Sequence, residues 1–207
     1  MLSGLEWEEL LARLASASPA PGGGSASALA GAAGAALAAM VARVAARRAA
    51  PGEAGGFDAL AREAEGLLQR LCSLVEADAR AFGAVMEARR LPRGTPAEEE
   101  TRRAALARAR ARAVEVPLET AESCASTLEL MARLVRRGAA PSAATDLGVG
   151  ALLARAGAEG AILNVLVNLT PAEREAEGPG LAARRLSRRA AELAAEVSGW
   201  VGGVLGG

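Results

Sequence analysis

The segment Pro19-Ala20-Pro21-Gly22-Gly23-Gly24-Ser25, with the run of small residues from Ala26 to Ala46, limits what this chain can fold into more than any other stretch. Two prolines and three glycines end whatever precedes them, and Ser25 is a residue type that caps a helix. The residues that follow are almost all Ala, Gly, Leu, Val and Met. They predict a helix from Ser25, or just after it, to about Ala49, where Pro51-Gly52 marks the next break. Such a helix is buried on all sides, with Gly31, Gly34, Ala35 and Ala38 letting neighbouring backbones come close, and it predicts a subunit contact as well as a core. Its apolar stretch before Arg43 sits at the short edge of what spans a bilayer. It is also weakly apolar and lacks aromatic anchors, so the expectation is a core helix and not a membrane span.

Hydrophobic residues make up 51% of the sequence but aromatics only 2%, the composition of closely packed aliphatic helices. Lys+Arg and Asp+Glu both stand at 24. That balance leaves no overall field to attract nucleic acid or an anionic membrane. The chain contains no Lys, His or Tyr. Schiff-base lysines, phosphate-loop lysines, Ser-His-Asp triads and histidine-ligated zinc are therefore excluded. Catalysis here has to use carboxylates, a thiol, hydroxyls, Arg, amides or backbone dipoles. Cys72 and Cys124 are widely separated with no CxxC spacing, and read as reduced core thiols of a cytoplasmic protein. Met1 to Leu11 carries Glu6, Glu8 and Glu9 and lacks the pattern of a secretory signal.

Hydrophobic periodicity predicts helices throughout and no strand. A short first helix spans Leu5 to Ala15. After the small-residue helix, a third runs from Phe57 to Leu91 with Leu60, Ala64, Leu71, Val75 and Phe82 on its core stripe. Thr95-Pro96-Ala97-Glu98 is a capping-box signature for a fourth helix reaching about Arg137, with Pro117 inside it as an expected kink. Thr145 or Asp146 is the expected cap of a fifth helix ending near Leu169. Thr170 to Glu173 repeats the capping device, and a last helix is expected from Leu181 to Val197, with the glycine-rich end after it unassigned. The expected fold is all-α: a single-domain antiparallel bundle of five to six long helices.

In a chain dominated by Ala, Arg, Glu, Gly and Leu, the rare polar types mark candidate sites. There are three aspartates, Asp58, Asp78 and Asp146, and two asparagines, Asn164 and Asn168. Asp58 reads as a cap. Asp146 reads as a cap or a site. Asp78 lies mid-helix on the same face as Phe82, where partial burial would raise its pKa into the range useful for proton transfer. Asn164 and Asn168, one turn apart, either contact a heterocycle edge or bridge helices. Gly22, Gly23, Gly24 and Ser25 offer free N–H groups and a helix dipole to an anion. Arg108, Arg110 and Arg112 spread around a helix, and Glu98/Arg102 and Glu99/Arg103 read as surface pairs.

Several motifs carry a resemblance. They are Pro21-Gly22-Gly23-Gly24-Ser25 followed by Ala28, the Ala/Gly helix ending Met40-Val41, the Asp78 and Phe82 pair, and Val116-Pro117. Thr145-Asp146-Leu147-Gly148-Val149 and Gly160-Ala161-Ile162-Leu163-Asn164-Val165 through Asn168-Leu169 continue the same order. In these the chain resembles the formiminotetrahydrofolate cyclodeaminase/methenyltetrahydrofolate cyclohydrolase family from near its start to about Val197. The resemblance implies a homodimer that takes a tetrahydrofolate derivative as substrate and needs no metal or redox cofactor. The implied reaction either closes a formimino group with loss of ammonia or hydrolyses a methenyl bridge to a formyl group. Asp146 and Asp78 are then the acid/base candidates, Gly22 to Ser25 hold an anionic part of the folate, and Asn164 or Asn168 contact polar edges. A folate-binding or scaffold dimer without turnover is the alternative. The chain departs from the family pattern at Ala140 and Ser142, where asparagines are usual, and at Arg47, Arg48 and Ala49, where Lys and Tyr are usual.

Overall fold

The computed structural model describes residues 7–206, and among these there is no strand. Leu5 and Glu6, expected in the first helix, lie outside the described residues. In chain order the helices are α1 (Trp7–Leu14), α2 (Gly23–Arg48), α3 (Ala54–Arg90) and α4 (Pro96–Arg136), then α5 (Ala144–Asn168), α6 (Pro171–Glu175) and α7 (Pro179–Gly206), with a 3-10 turn at Pro141–Ala143 before α5. Five of them are long, as the periodicity requires.

α2 occupies the centre and packs against α3, α4 and α5. Ala28, Ala35, Ala38, Val41 and Ala42 are wholly enclosed. α5 runs antiparallel to α2, and glycines on both sides let the two backbones touch. A Cβ on Gly34 would lie 2.8 Å from the carbonyl oxygen of Gly150, and one on Gly157 only 2.7 Å from that of Ser27. Because the obstacle is backbone in both cases, no rotamer change could admit a side chain. Leu71, Leu128, Leu130, Met131, Leu134, Leu147 and Leu193 fill the wider gaps around this seam. By length and composition α2 and the stretch 141–168 could each cross a membrane; α2 is packed into the bundle on one side but, contrary to the expectation of a helix buried all round, exposes Ala33, Ala36 and Arg43 on the other.

Both capping boxes form. Thr95 accepts from the N–H of Glu98, whose carboxylate accepts in return from the N–H of Thr95, and Thr170 and Glu173 do the same. That use of Glu98 removes it from the expected pair with Arg102. Arg102 instead donates to the Arg89 carbonyl oxygen at 3.3 Å, and Arg103 pairs with Glu100, one residue beyond the expected Glu99.

Three boundaries differ from expectation. α2 starts at Gly23 with Gly22 as a cap that offers no side chain, because the Ser25 hydroxyl is committed to α3. α5 begins at Ala144 straight out of the 3-10 turn, so neither Thr145 nor Asp146 caps it, and Asp146 sits in its first turn. α7 runs on to Gly206 despite its glycines, because Trp200 and Val201 pack against the core. Cys72 is exposed, contrary to its reading as a core thiol, whereas Cys124 is buried and burial pushes its thiol up to about 12.

Helix α4 continues through Pro117. A proline has no N–H, so the carbonyl of Ala113 loses its intrahelical donor. The Asn168 side chain supplies the replacement, its Nδ2 donating to the Ala113 oxygen at 3.0 Å.

Candidate active site

The N-terminus of α2 meets the middle of α3, and the sequence dictates how. With Gly22 extended and the first helical bond running from the N–H of Ala26 to the Gly22 carbonyl at 3.0 Å, the N–H groups of Gly23, Gly24 and Ser25 have no acceptor within the helix. The Asp78 carboxyl comes up to that end and accepts from the Ser25 N–H. A Cβ on Gly24 would lie 2.1 Å from Asp78 Oδ1, so the glycine is what leaves space for the carboxyl to reach the helix end. Asp78 and the glycine turn, chosen separately from the sequence, are therefore one unit.

Ser25 is 1% exposed, and its Oγ lies 2.9 Å from Asp78 Oδ2 and 3.0 Å from the Val75 carbonyl oxygen. A hydroxyl carries one proton, so it donates to only one of these acceptors at a time. When Asp78 is ionised, Ser25 donates to it. When Asp78 is protonated, the acid donates to Ser25 Oγ and the hydroxyl turns to Val75. Either state is fully hydrogen-bonded, which lets the carboxyl gain and lose a proton without rearranging the fold. Burial raises the pKa of Asp78 above the ordinary carboxylate range, and hydrogen bonds from the Ser25 hydroxyl and N–H oppose that shift without cancelling it.

Phe82, one turn further along α3, is 39% exposed and does not belong to the core stripe in which its spacing placed it. An open aromatic face next to a half-buried acid suits a flat heterocycle.

Asn164 reaches the same corner. Its Nδ2 donates to the Gly160 carbonyl at 2.8 Å and stands 3.5 Å from where a Cβ of Gly23 would be. That bond uses one of its two N–H groups and leaves its amide oxygen available. Asn168 is more constrained, since both its N–H groups are taken, by the carbonyls of Ala113 and Asn164. Only its oxygen remains for a ligand.

Asp146 is not part of this cluster within one chain. It lies eighteen residues before Asn164 on the same helix, roughly 27 Å away along the axis. Its end of the molecule is where Arg48 donates to the Ser142 hydroxyl at 2.5 Å.

A half-buried acid, a buried hydroxyl that bonds it in either protonation state, an open aromatic and an amide within reach form an arrangement suited to moving a proton beside a flat ring. Residues 6–178 match the family described as Formiminotransferase-cyclodeaminase. The chain belongs to that family. It is 37% identical over 162 residues to methenyltetrahydrofolate cyclohydrolase of Methylorubrum extorquens, covering 78% of this chain and 77% of that relative. It is 39% identical over 159 residues to formimidoyltransferase-cyclodeaminase of Mus musculus, covering 73% of this chain but 28% of the mouse protein. The crystal structure of formiminotetrahydrofolate cyclodeaminase from Thermotoga maritima matches with a TM-score of 0.72 over 99% of this chain and 96% of that one, at 24% identity, a likeness of fold. The expected family and the expected all-α architecture are both borne out, and the whole Gly22–Ser25, Asp78 and Asn164 corner lies inside the matched span.

Proposed function

We propose that this chain acts on the one-carbon bridge of a tetrahydrofolate, hydrolysing the methenyl form to the formyl form or closing the formimino form to the methenyl form with release of ammonia. The observation that carries this reading is Asp78, a carboxyl with raised pKa held at the α2 N-terminus by Ser25 and opened to solvent beside Phe82. Both reactions pass through a tetrahedral carbon between two nitrogens and need one group that takes and returns a proton. In hydrolysis, water adds to the cationic carbon and Asp78 takes its proton. The proton then goes to the departing ring nitrogen as that C–N bond breaks, leaving a formyl group on the other nitrogen and one proton released overall. In cyclodeamination, the second nitrogen adds to the carbon of the protonated formimino group, Asp78 takes the proton of the attacking nitrogen and returns it to the leaving nitrogen, which departs as ammonia. Phe82 stacks on the pterin, and the Asn164 amide meets its polar edge. No step is assigned to a metal or a redox cofactor. The two unpaired thiols favour the cytoplasm as its place of work.

The working form is a homodimer. α5 carries one exposed ion pair, Arg155–Glu159, and beside it Val149, Leu152, Leu163 and Val167 are 50, 64, 67 and 72% exposed along one face. Turned about an axis level with Ala158, this stripe falls on itself, with Val149 opposite Val167 and Leu152 opposite Leu163. The same turn sets Asp146 of the partner subunit level with Thr170, next to Asn168, which gives the second aspartate a route to the site.

The test is turnover of both substrates by the purified chain and by Asp78→Asn. The variant is expected to lose about 10²- to 10⁴-fold in rate, the usual contribution of a positioned acid/base group. Equal rates remove Asp78 from the mechanism. Absence of turnover by the unaltered chain refutes the enzyme and leaves the folate-binding dimer, which binding of a folate analogue would reveal.

A further inference from the structure

Asn164 can meet a ring beside Asp78 only if α5 holds it at the right distance from the start of α2. Its side chain is tied back to its own helix, Nδ2 donating to the Gly160 carbonyl at 2.8 Å, so the amide moves with the turn from Gly160 to Asn164. Where it stands relative to the glycine turn is then set by the separation of α2 and α5 at this level.

Further from the site the two helices meet backbone to backbone, a Cβ on Gly157 lying only 2.7 Å from the Ser27 carbonyl oxygen and 2.9 Å from the Gly31 nitrogen. One turn nearer, the contact becomes a side chain in a gap. Ser27, buried at 7% exposed, lies against Gly160, where a Cβ would stand 2.4 Å from its Oγ and 3.4 Å from its Cβ. Ser27 Oγ also donates to the Gly23 carbonyl at 2.7 Å, which holds the hydroxyl in place. At the next turn the roles of the helices are exchanged, with Asn164 of α5 over Gly23 of α2, its Nδ2 3.5 Å from where a Cβ of Gly23 would be. Gly23, Ser27, Gly160 and Asn164 thus close a ring, each residue against the next.

We infer that Ser27 and Gly160 are positioning residues for the reaction: the serine hydroxyl in the glycine gap is the spacer that sets where the Asn164 amide oxygen meets the ring edge. The inference rests on the folate reading above and adds the pair that places one of its binding groups. Neither residue need touch the ligand. Ser25 and Ser27 are two residues apart on α2 and do not share a face. The first hydroxyl is committed to α3 at Asp78 and Val75, the second fills the gap in α5. The proton carrier and the binding amide are therefore placed by separate contacts and can be disturbed separately.

The test is Gly160→Ala, alone and combined with Ser27→Ala, assayed on whichever of the two substrates the unaltered chain turns over. The new Cβ is about 1 Å short of an unstrained contact with the Ser27 hydroxyl, so α5 has to move off α2 and take Asn164 with it. KM is expected to rise about 3- to 10-fold, the worth of one hydrogen bond, with kcat within about twofold and the pH profile unchanged, because Asp78 keeps its bond to Ser25. The double variant lacks the hydroxyl and leaves the two Cβ atoms at an ordinary 3.4 Å, so KM returns to within about twofold of its original value. A general loosening of the corner would instead lower kcat through Asp78, and the second substitution would not restore it. Gly66→Ala, where an added Cβ meets nothing within 4 Å, is the control for replacing a helical glycine. An unchanged KM in Gly160→Ala means that the hydroxyl leaves the gap without consequence and overturns the proposal. A raised KM that the double variant does not restore, or a kcat that falls with it, overturns it equally, and in each of these cases the folate reading stands. If Gly160→Ala does not fold, Ser27→Cys, which widens the same spacer with a sulfur atom, takes its place with the same expectations for KM and kcat. Absence of turnover by the unaltered chain removes the folate reading and this proposal with it.

Discussion

Gly24→Ala separates fold from chemistry at the α2 terminus. The new Cβ would stand 2.1 Å from Oδ1, 2.5 Å from Cγ and 2.8 Å from Oδ2 of Asp78. An unstrained carbon–oxygen contact is about 3.5 Å, so the carboxyl has to retreat by more than 1 Å or swing to another rotamer, roughly half-way out to solvent already. Either movement breaks the 2.9 Å bond between Ser25 and Asp78. Losing it costs about 1–3 kcal/mol, while replacing Gly by Ala in a helix returns up to about 1 kcal/mol, and a carboxyl released to water recovers part of its desolvation. The net loss of stability is therefore small, about 0–2 kcal/mol. The rate falls far more, by about 10²- to 10⁴-fold, because the proton carrier has left its position. Urea unfolding followed by circular dichroism and initial rates on methenyltetrahydrofolate measure the two effects side by side. Gly23→Ala is the control, since its Cβ meets only Asn164 Nδ2, at an ordinary 3.5 Å, and should leave both quantities near their starting values. A Gly24→Ala protein with unaltered rate and pH profile would refute the coupling of the glycine turn to Asp78.

Gly157→Ala should lower stability by about 1–3 kcal/mol or more, read as a fall in Tm, because its Cβ runs into the backbone of Ser27 and Gly31; a Tm within a degree of the original would show that α2 and α5 can separate at little cost. Asn168→Ala strips the Ala113 carbonyl of its donor and should cost about 1–3 kcal/mol in urea unfolding. The raised pKa of Asp78 means that the folded state binds the proton more tightly than the unfolded chain. The contribution of this group is then fully present below the ordinary carboxylate value and is lost as pH rises through the raised one. Asp78→Asn should accordingly stabilise the protein at pH 7 and lose that advantage near pH 4. Thiol reagents at pH 8 should modify one group on the native protein, the exposed Cys72, and reach Cys124 only after unfolding, given a thiol pushed up to about 12 by burial.

What could be read from the residues alone was whatever depended on near neighbours. The boxes at Thr95 and Thr170 formed because each partner lies three residues away and nothing else competes for them. Ser25 failed as a cap because its hydroxyl found partners fifty and fifty-three residues further on, at Val75 and Asp78, which no local pattern signals. The same distance hid the fact that Gly24 and Asp78 form one site. Thr145 and Asp146 have the chemistry of caps, but the 3-10 turn from Pro141 leads directly into α5 and leaves them no end to cap. The glycines of 199–206 argue against a helix by propensity, and packing of Trp200 and Val201 overrides it. Phe82 fits the apolar period of α3, and periodicity carries no information on whether another element covers a given position.

The bond from Asn168 to Ala113 gives α4 a mechanical property. Upstream of the gap left by Pro117, the segment from Pro96 to Ala113 is a rod about 25 Å long that carries Arg102, Arg103 and Arg110. A tilt of about 5° at its base would carry its far end about 2 Å, the difference between a direct contact and one bridged by water. Because the amide that closes the gap belongs to α5, the same helix that brings Asn164 to the glycine turn also sets the direction in which that rod points.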